Sequence, residues 1–308
     1  MPVEFGLALL ESHKPTRLTQ WMENLEQVVP HIEGHFKSLW MTDHLFWNED
    51  FAYEVWTTLS FIAAKFPAFD IGPMVMGQNY RNPALLAKMA ATLQQFSEGR
   101  FIMGIGAGWK EDEYRGYNWE LPPAGVRLEQ LDDTLEIFKR LWTQKGKITF
   151  HGKHYKIEDA ILEPKPVPVP PICVGVRGDR ALAIAAKHAD WWNISDANIR
   201  VYKERMSVLD QHCAAIGRDP KNIRRTWFGR VVTGHTDAEV QKRANSWKMP
   251  FTTENAFVGT PPQIVEQMSE FVAVGCDYFM IDILGLPDED ILGMVLNDIL
   301  PAVQKASG

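Results

Sequence analysis

Cysteine is scarce. Cys173, Cys213 and Cys276 are the three in 308 residues, widely spaced and without a Cys-x-x-Cys pair. That pattern excludes a disulfide framework and argues against a structural zinc site, and it makes a reducing cytoplasm the expected setting. No uncharged apolar run reaches about 18 residues, so no membrane span is expected. The opening Met1-Pro2-Val3-Glu4-Phe5-Gly6 lacks the basic-then-apolar layout of a signal peptide. Positive charge is short as well: 32 Lys and Arg stand against 39 Asp and Glu, a formal net charge of -7. Neither nucleic acid nor an anionic membrane surface is therefore an expected partner. Several catalytic signatures are missing too, among them the Gly-x-Ser-x-Gly elbow, the Walker A loop and His-Glu-x-x-His. A metal-dependent barrel hydrolase would want His-x-His at the end of the first strand, where Ala8-Leu9-Leu10-Glu11 stands, and no metal is expected. Glycine is absent from the following Glu11-Ser12-His13-Lys14-Pro15, which rules out a dinucleotide fingerprint there.

What remains is an ordinary globular mixture, 45% hydrophobic and 23% charged, with ample material for a large core. Eight short apolar runs recur, at residues 3–9, 38–41, 71–76, 101–106, 172–176, 191–194, 226–232 and 278–283, and most are followed by a helical pattern. Asn82 and Pro83 open one helix, with Leu86, Met89, Leu93 and Phe96 at spacings of three and four before Gly99. Leu128, Leu131, Leu135, Phe138 and Leu141 mark another. Thr260, Pro261 and Gln263 start a third, which buries Ile264, Met268 and Phe271 and stops at Gly275. Eight strands with intervening helices and no fingerprint after the first predict an α/β fold, a (β/α)8 TIM barrel forming one domain over residues 1–308. Residues 148–171, with Pro164, Pro166, Pro168, Pro170 and Pro171, break the alternation and are expected to be an insertion between the fourth helix and the fifth strand.

A barrel of this kind builds its site at the C-terminal ends of the strands. The second strand ends in Asp43-His44, where an imidazole can act as acid, base or donor; a capping Asp43 and a His44 packed on Trp47 is the simpler alternative. The third carries Met74, Val75 and Met76, bulky enough to support a planar ring or simply to fill a core. The fourth runs Gly104-Ile105-Gly106-Ala107-Gly108-Trp109. Trp109 occupies the place of the third fingerprint glycine, so the glycines serve either a flat ligand lying on the backbone or close packing. The fifth opens into Gly175-Val176-Arg177-Gly178-Asp179, a glycine turn into a helix that suits an anion unless Asp179 caps the helix itself. His151 and His154 lie in a lysine-bearing loop and read as solvated side chains. Trp47, Trp56 and Trp109 are candidates for an aromatic pocket wall.

Together the segments Ser38-Leu39-Trp40-Met41-Thr42-Asp43-His44-Leu45, Tyr80-Arg81-Asn82-Pro83-Ala84-Leu85-Leu86-Ala87-Lys88 and Gly99-Arg100-Phe101 through Gly108-Trp109 resemble the bacterial luciferase-like family, and within it the coenzyme F420-dependent branch. Pro122-Pro123-Ala124-Gly125 and Ala189-Asp190-Trp191-Trp192-Asn193 add to the resemblance, which runs from the second strand to the last helix. It implies an oxidoreductase that acts on a small organic molecule and is a homodimer. A non-proline cis peptide at Met74-Val75 would back the cofactor ring. His44 is the implied catalytic residue, with Glu113 assisting. Asp43, Met76, Gly106, Ala107, Gly108, Trp109 and Asp112 would line the cofactor, and Gly175, Val176, Arg177, Gly178 and Asp179 would hold its phosphate. The FMN-using branch tends to carry an Arg where this chain has Ala107, which favours F420. Phe66-Pro67-Ala68-Phe69 also departs from the more polar turn expected before the third strand. The alternatives are an FMN-dependent monooxygenase that uses O2 and a partner flavin reductase, and a flavin-binding protein without turnover.

Overall fold

A computed structural model describes residues 2–9, 18–47, 50–246 and 251–306. Its strands in chain order are β1 (Glu4–Ala8), β2 (Ser38–Met41), β3 (Phe46–Trp47), β4 (Asp50–Phe51), β5 (Asp70–Pro73), β6 (Met76–Gly77), β7 (Met103–Gly106), β8 (Ile148–His151), β9 (Lys156–Ala160), β10 (Ile172–Gly175), β11 (Trp191–Ser195), β12 (Arg224–Val232), β13 (Ala256–Val258) and β14 (Tyr278–Ile283). Its helices are α1 (Leu18–Ile32), α2 (Val55–Lys65), α3 (Pro83–Phe96), α4 (Glu111–Gly116), α5 (Ala124–Thr143), α6 (Asp179–His188), α7 (Ile199–Ala215), α8 (Asp237–Ala244), α9 (Pro261–Ala273), α10 (Glu289–Gly293) and α11 (Leu300–Ala306). All eight apolar runs are strands, but the third is two pieces, β5 and β6, on either side of Met74 and Val75. Residues 10–17, whose lack of glycine argues against a fingerprint, lie outside the described residues.

The helix starts follow from local chemistry. Asn82 Oδ1 accepts from the Ala84 and Leu85 amides at 3.0 and 3.1 Å, while Pro83 at the first helical position has no amide to satisfy. Glu54 caps α2 through the Trp56 and Thr57 amides at 3.1 and 2.8 Å. Ahead of α9, Gln263 Oε1 accepts the Thr260 amide at 2.8 Å, and Gly275 beyond its end has φ +99°.

The residues gather into two compact units. One comprises Met1–Trp40, Asn193–Val208 and Arg224–Gly308. In it β14 pairs in parallel with both β1 and β12, β1 pairs with β2, and β13 adds to β12. All six residues of β14 are buried, as an apolar run covered on both faces requires. Ser38 is hydrogen-bonded to Tyr278 and to the Trp40 indole, and Asn193 Nδ2 donates to Thr226 Oγ1 at 2.9 Å, so these buried side chains satisfy one another in two groups.

The other unit comprises Met41–Trp192 and Leu209–Ile223. Here β7 lies between β6 and β10, all parallel, with Gly106 opposite Gly77 and Ile105 opposite Val174. An isolated bridge, Ile71 to Phe101, adds β5 to β7, and the Met74 amide donates to Met41 O at 2.6 Å. The turns after β6, β7 and β10 therefore leave from one end of this sheet, and the segment from Met41 onward is held to it through the Met74 amide. Between α5 and β10 the chain forms the antiparallel β8–β9 hairpin, whose turn is held by Asp133. That carboxylate accepts from the Lys153, His154 and Tyr155 amides at 3.1, 2.6 and 3.0 Å. The proline-rich stretch that follows lies along α3. Gln94 Nε2 donates to Pro168 O at 2.8 Å, Gln95 Nε2 to Lys165 O at 2.7 Å, and Lys88 Nζ to Glu163 O. Among the described residues no helix is long and apolar enough to cross a membrane.

Candidate active site at one end of the sheet

All the residues assembled here belong to the second of the two units. Asp43, directly after β2, does not cap its own turn. Its carboxylate takes Arg81 Nη1 at 2.9 Å and Nη2 at 3.1 Å, and accepts the Gly77 amide at 3.1 Å. Arg81 also reaches Glu54, the cap of α2. Burial is the largest influence on Asp43 and raises its carboxyl above the ordinary range, with Arg81 pulling the other way. Burial likewise works against the Arg81 cation, but Asp43 and Glu54 overcome it and hold Arg81 above its usual value. Asp43 thus joins the end of β2 to β6.

His44 points its Nδ1 at Glu113, 3.2 and 3.3 Å from the two carboxylate oxygens. A carboxylate can only accept, so Nδ1 carries the proton, and Nε2 has no partner among the described residues. The imidazole is 19% exposed. It does pack on Trp47, edge-on at 4.8 Å, and Trp109 stands at 5.9 Å; the two indoles are 6.1 Å apart, with 39% of Trp47 and 63% of Trp109 exposed. Trp56 is not part of this group. It packs on Phe101 at 5.5 Å, ahead of β7 and away from the strand end.

Glu113 is fully buried, and besides His44 it accepts from the Leu45 amide at 2.7 Å, the Phe46 amide at 3.4 Å and Tyr80 Oη at 2.8 Å. Burial alone would raise its carboxyl; the bonds from His44, Tyr80 and Leu45 outweigh burial and bring it below the usual range. Tyr80 is correspondingly pushed up, first by burial and then by Glu113. Asp112 is held below its usual value by Lys110, whose Nζ is 2.5 Å away. The buried Lys110 ammonium also lies 4.6 Å from the Phe46 ring centre and 5.5 Å from that of Trp47.

The peptide between Met74 and Val75 is cis, as the resemblance implies. Met74 and Met76 are buried, and Val75 is half-buried. The glycines around Val75 serve packing. A Cβ on Gly106 would sit 2.9 Å from Val75 Cγ2, one on Gly175 would meet Val75 Cγ1 at 2.8 Å, and one on Gly104 would strike Pro73 O at 1.9 Å. Gly108 has φ +74° and leaves room for Tyr114 Oη to donate to Asn79 Oδ1 at 2.6 Å. A flat molecule at this strand end would meet Val75, Ala107 and Gly108 instead of the buried Gly104 and Gly106 backbone.

The turn after β10 is anchored by Trp192 Nε1, which donates to Val176 O at 2.9 Å. Gly178 precedes α6, and among the described residues nothing lies within 4 Å of the Cβ it lacks and no side chain caps the helix. Asp179 is turned away instead, to His212 Nε2 at 3.1 Å. The amides of the first turn stay open, with Arg177 and Arg180 exposed beside them. Arg180 lies against the start of α5, where a Cβ on Gly125 would be 3.2 Å from Nη1. A helix N-terminus in this state is suited to an anion. His151 and His154 do not join any of this: His154 pairs with Glu129 at 2.8 Å, and among the described residues no cluster of metal-binding side chains forms.

Sequence reasoning gives no role to Tyr80, Arg81 or Lys110. Their partners lie 33, 38 and 2 positions away, and the two longer links depend on the turns after β2, β6 and β7 leaving the sheet side by side.

Residues 3–256 match the sequence model of the family described as luciferase-like monooxygenase. The F420-dependent glucose-6-phosphate dehydrogenase of Microbacterium testaceum (strain StLB037) is 25% identical over 340 aligned positions, covering 99% of this chain and 98% of that protein. An F420-dependent secondary alcohol dehydrogenase, solved in complex with an F420-acetone adduct, superposes with a TM-score of 0.85 at 19% identity, over 98% of this chain and 99% of that one. The oxygenating constituent of 3,6-diketocamphane monooxygenase from the CAM plasmid of Pseudomonas putida, solved with FMN, gives 0.77 at 17% identity, over 98% and 99%. The two structural likenesses show the fold, the α/β (β/α)8 TIM barrel that the alternation predicts.

Proposed function

The chain belongs to the luciferase-like monooxygenase family, and from that premise we propose that it is an F420-dependent oxidoreductase acting on a small organic substrate. The pairing of His44 with the buried Glu113, with Nε2 left unclaimed, carries the proposal. It supplies an oriented proton donor or acceptor at a strand end, the place where this fold does its chemistry.

The residues present fit such a cofactor. Among the described residues nothing fills the space beyond Gly178 or caps the α6 amides, so the turn of Gly175, Val176, Arg177, Gly178 and Asp179 would hold a phosphate, with Arg177 and Arg180 adding positive charge. Val75 would back the ring, supported by Met74 and Met76, and Ala107, Gly108 and Trp109 would border it. When bound, the deazaflavin supplies a carbon centre that gives or takes two electrons as a hydride. His44 Nε2 holds or returns the accompanying proton, and Glu113 fixes the tautomer and aim of the ring. Trp47 and Trp109 shield the imidazole from water. Asp43 and Asp112 serve the site indirectly, Asp43 by tying Gly77 and Arg81 to the turn, Asp112 by holding Lys110 under Trp47.

F420 is preferred to FMN because a relative that spans nearly the whole chain is named for F420 and because Ala107 stands where an Arg is expected for FMN. On this proposal the working form is a homodimer, which sedimentation would measure. Separate titrations with F420 and FMN, followed by anaerobic assay with reduced F420, test the proposal. Micromolar or tighter binding of F420 and turnover without oxygen are expected, together with loss of turnover in His44→Ala at unchanged cofactor affinity. Strict dependence on oxygen and FMN would replace the proposal with a monooxygenase supplied by a flavin reductase, and binding without turnover would leave a flavin carrier.

A further inference from the structure

Four donors converge on the Glu113 carboxylate, and three of them belong to the turn it orients: His44 Nδ1 and the amides of Leu45 and Phe46. The fourth, Tyr80 Oη at 2.8 Å from Oε2, comes from a different segment, the turn after β6. Its ring has contacts of its own, edge-on to Tyr114 at 5.0 Å and tilted against Trp119 at 5.2 Å, so the hydroxyl is presented from an aromatic cluster. We infer that Tyr80 is a positioning residue for the proposed reaction, its phenol holding the Glu113 carboxylate ionised and turned so that the other oxygen remains available to His44 and the Leu45 amide. The inference rests on the proposed role of His44.

The physical grounds are those of a buried acceptor. A carboxylate out of water keeps its charge only while enough donors meet it, and a hydrogen bond to a charged group is stronger than a neutral one. The neighbouring charges are already committed. Asp43 faces Arg81, Asp112 faces Lys110, and the Tyr114 phenol is spent on Asn79. Of the titratable groups among the described residues, His44 and Tyr80 are the two in direct contact with Glu113. Without the phenol, Glu113 would take up a proton at a higher pH. Once neutral, it would no longer stabilise a charged imidazole.

Tyr80→Phe tests this, since it keeps the ring and its aromatic contacts and removes one oxygen. The protonated carboxyl of Glu113 can be followed against pH by infrared difference spectroscopy in the cofactor-free protein, with Glu113→Gln identifying the band. The expected midpoint moves up by about one pH unit in Tyr80→Phe. In the loaded enzyme the acidic limb of the rate profile should move up equally, with kcat lowered about tenfold near that limb and cofactor affinity unchanged. An unmoved infrared midpoint overturns the inference whether or not the enzyme turns over. A moved midpoint with an unmoved rate profile also overturns it, reducing Tyr80 to a structural contact. Absence of turnover in the unaltered protein with either cofactor counts against the proposed function instead, and the infrared result then shows whether Tyr80 tunes Glu113 at all.

Discussion

Arg81 closes on Asp43 with both ends of its guanidinium, at 2.9 and 3.1 Å, while Asp43 simultaneously accepts the Gly77 amide. One carboxylate thereby fastens the end of β2 to the strand that resumes after the Met74-Val75 break. Tyr80 and Arg81 are sequence neighbours, and they meet the two buried acids Glu113 and Asp43 respectively.

Removing the cation should be more costly than removing the anion's charge. Arg81→Met leaves a carboxylate that is 1% exposed without its counter-ion, and a loss of about 3 kcal/mol is expected in urea unfolding. Asp43→Asn, which keeps an acceptor for Gly77 and lets Arg81 retain Glu54, should lose less than half as much. Equal losses would mean that the pair does not behave as a buried ion pair.

The glycines around Val75 make a second prediction. Gly106→Ala and Gly175→Ala each drive a methyl against the Val75 side chain and should each cost about 2 kcal/mol. Val75→Ala should recover most of that loss in the double variants, which a double-mutant cycle would read as coupling. Gly104→Ala meets the Pro73 carbonyl, so Val75→Ala should not rescue it.

Acid stability should carry the signature of Asp132. Bonds from His188, opposed by burial and aided by Lys187, draw its carboxyl down to about 2 from an ordinary 3.8. A lowered acid contributes stability above its unfolded value and loses it as pH falls towards its folded value, so the contribution should fade between about pH 4 and pH 2. Partial exposure of Asp132 screens the effect, which makes the pH window the useful measurement. Asp132→Asn should flatten thermal stability against pH within that window.

His212 keeps Asp179 away from the α6 amides it could otherwise cap. His212→Ala should release the carboxylate to compete with an incoming anion and weaken cofactor binding about threefold, by analogy with charge effects at helix ends. Asp179→Asn should remove the competition and restore affinity in the double variant. Fluorescence titration would distinguish these outcomes from a His212 that merely packs.

The frame was legible because it depends on local order. Asn82-Pro83 and Thr260-Pro261 mark helix starts by capping chemistry that acts within four residues, and β2 and β14 run between the same residues as their apolar stretches. The short β3–β4 and β8–β9 hairpins escaped because strands of two to five residues, many polar, make no apolar run. At the site, Asp43, His44 and Gly178 stand out by type and place. The sequence alone left the purpose of Gly104 and Gly106 open, since a glycine marks closeness without naming what comes close; Pro73 and Val75 settle it. Tyr80 and Arg81 were hidden for a related reason: their partners are fixed by the order of strands in the sheet, which no window of sequence contains.

The proline-rich stretch along α3 has an effect of its own. Proline has no amide hydrogen, so carbonyls are the backbone handles that Pro164, Pro166, Pro168, Pro170 and Pro171 can offer, and the side chains of Lys88, Gln94 and Gln95 take hold of three carbonyls in this stretch. A ribbon in which five of eight residues lack a donor is a poor template for a neighbouring chain to pair with as an extra strand.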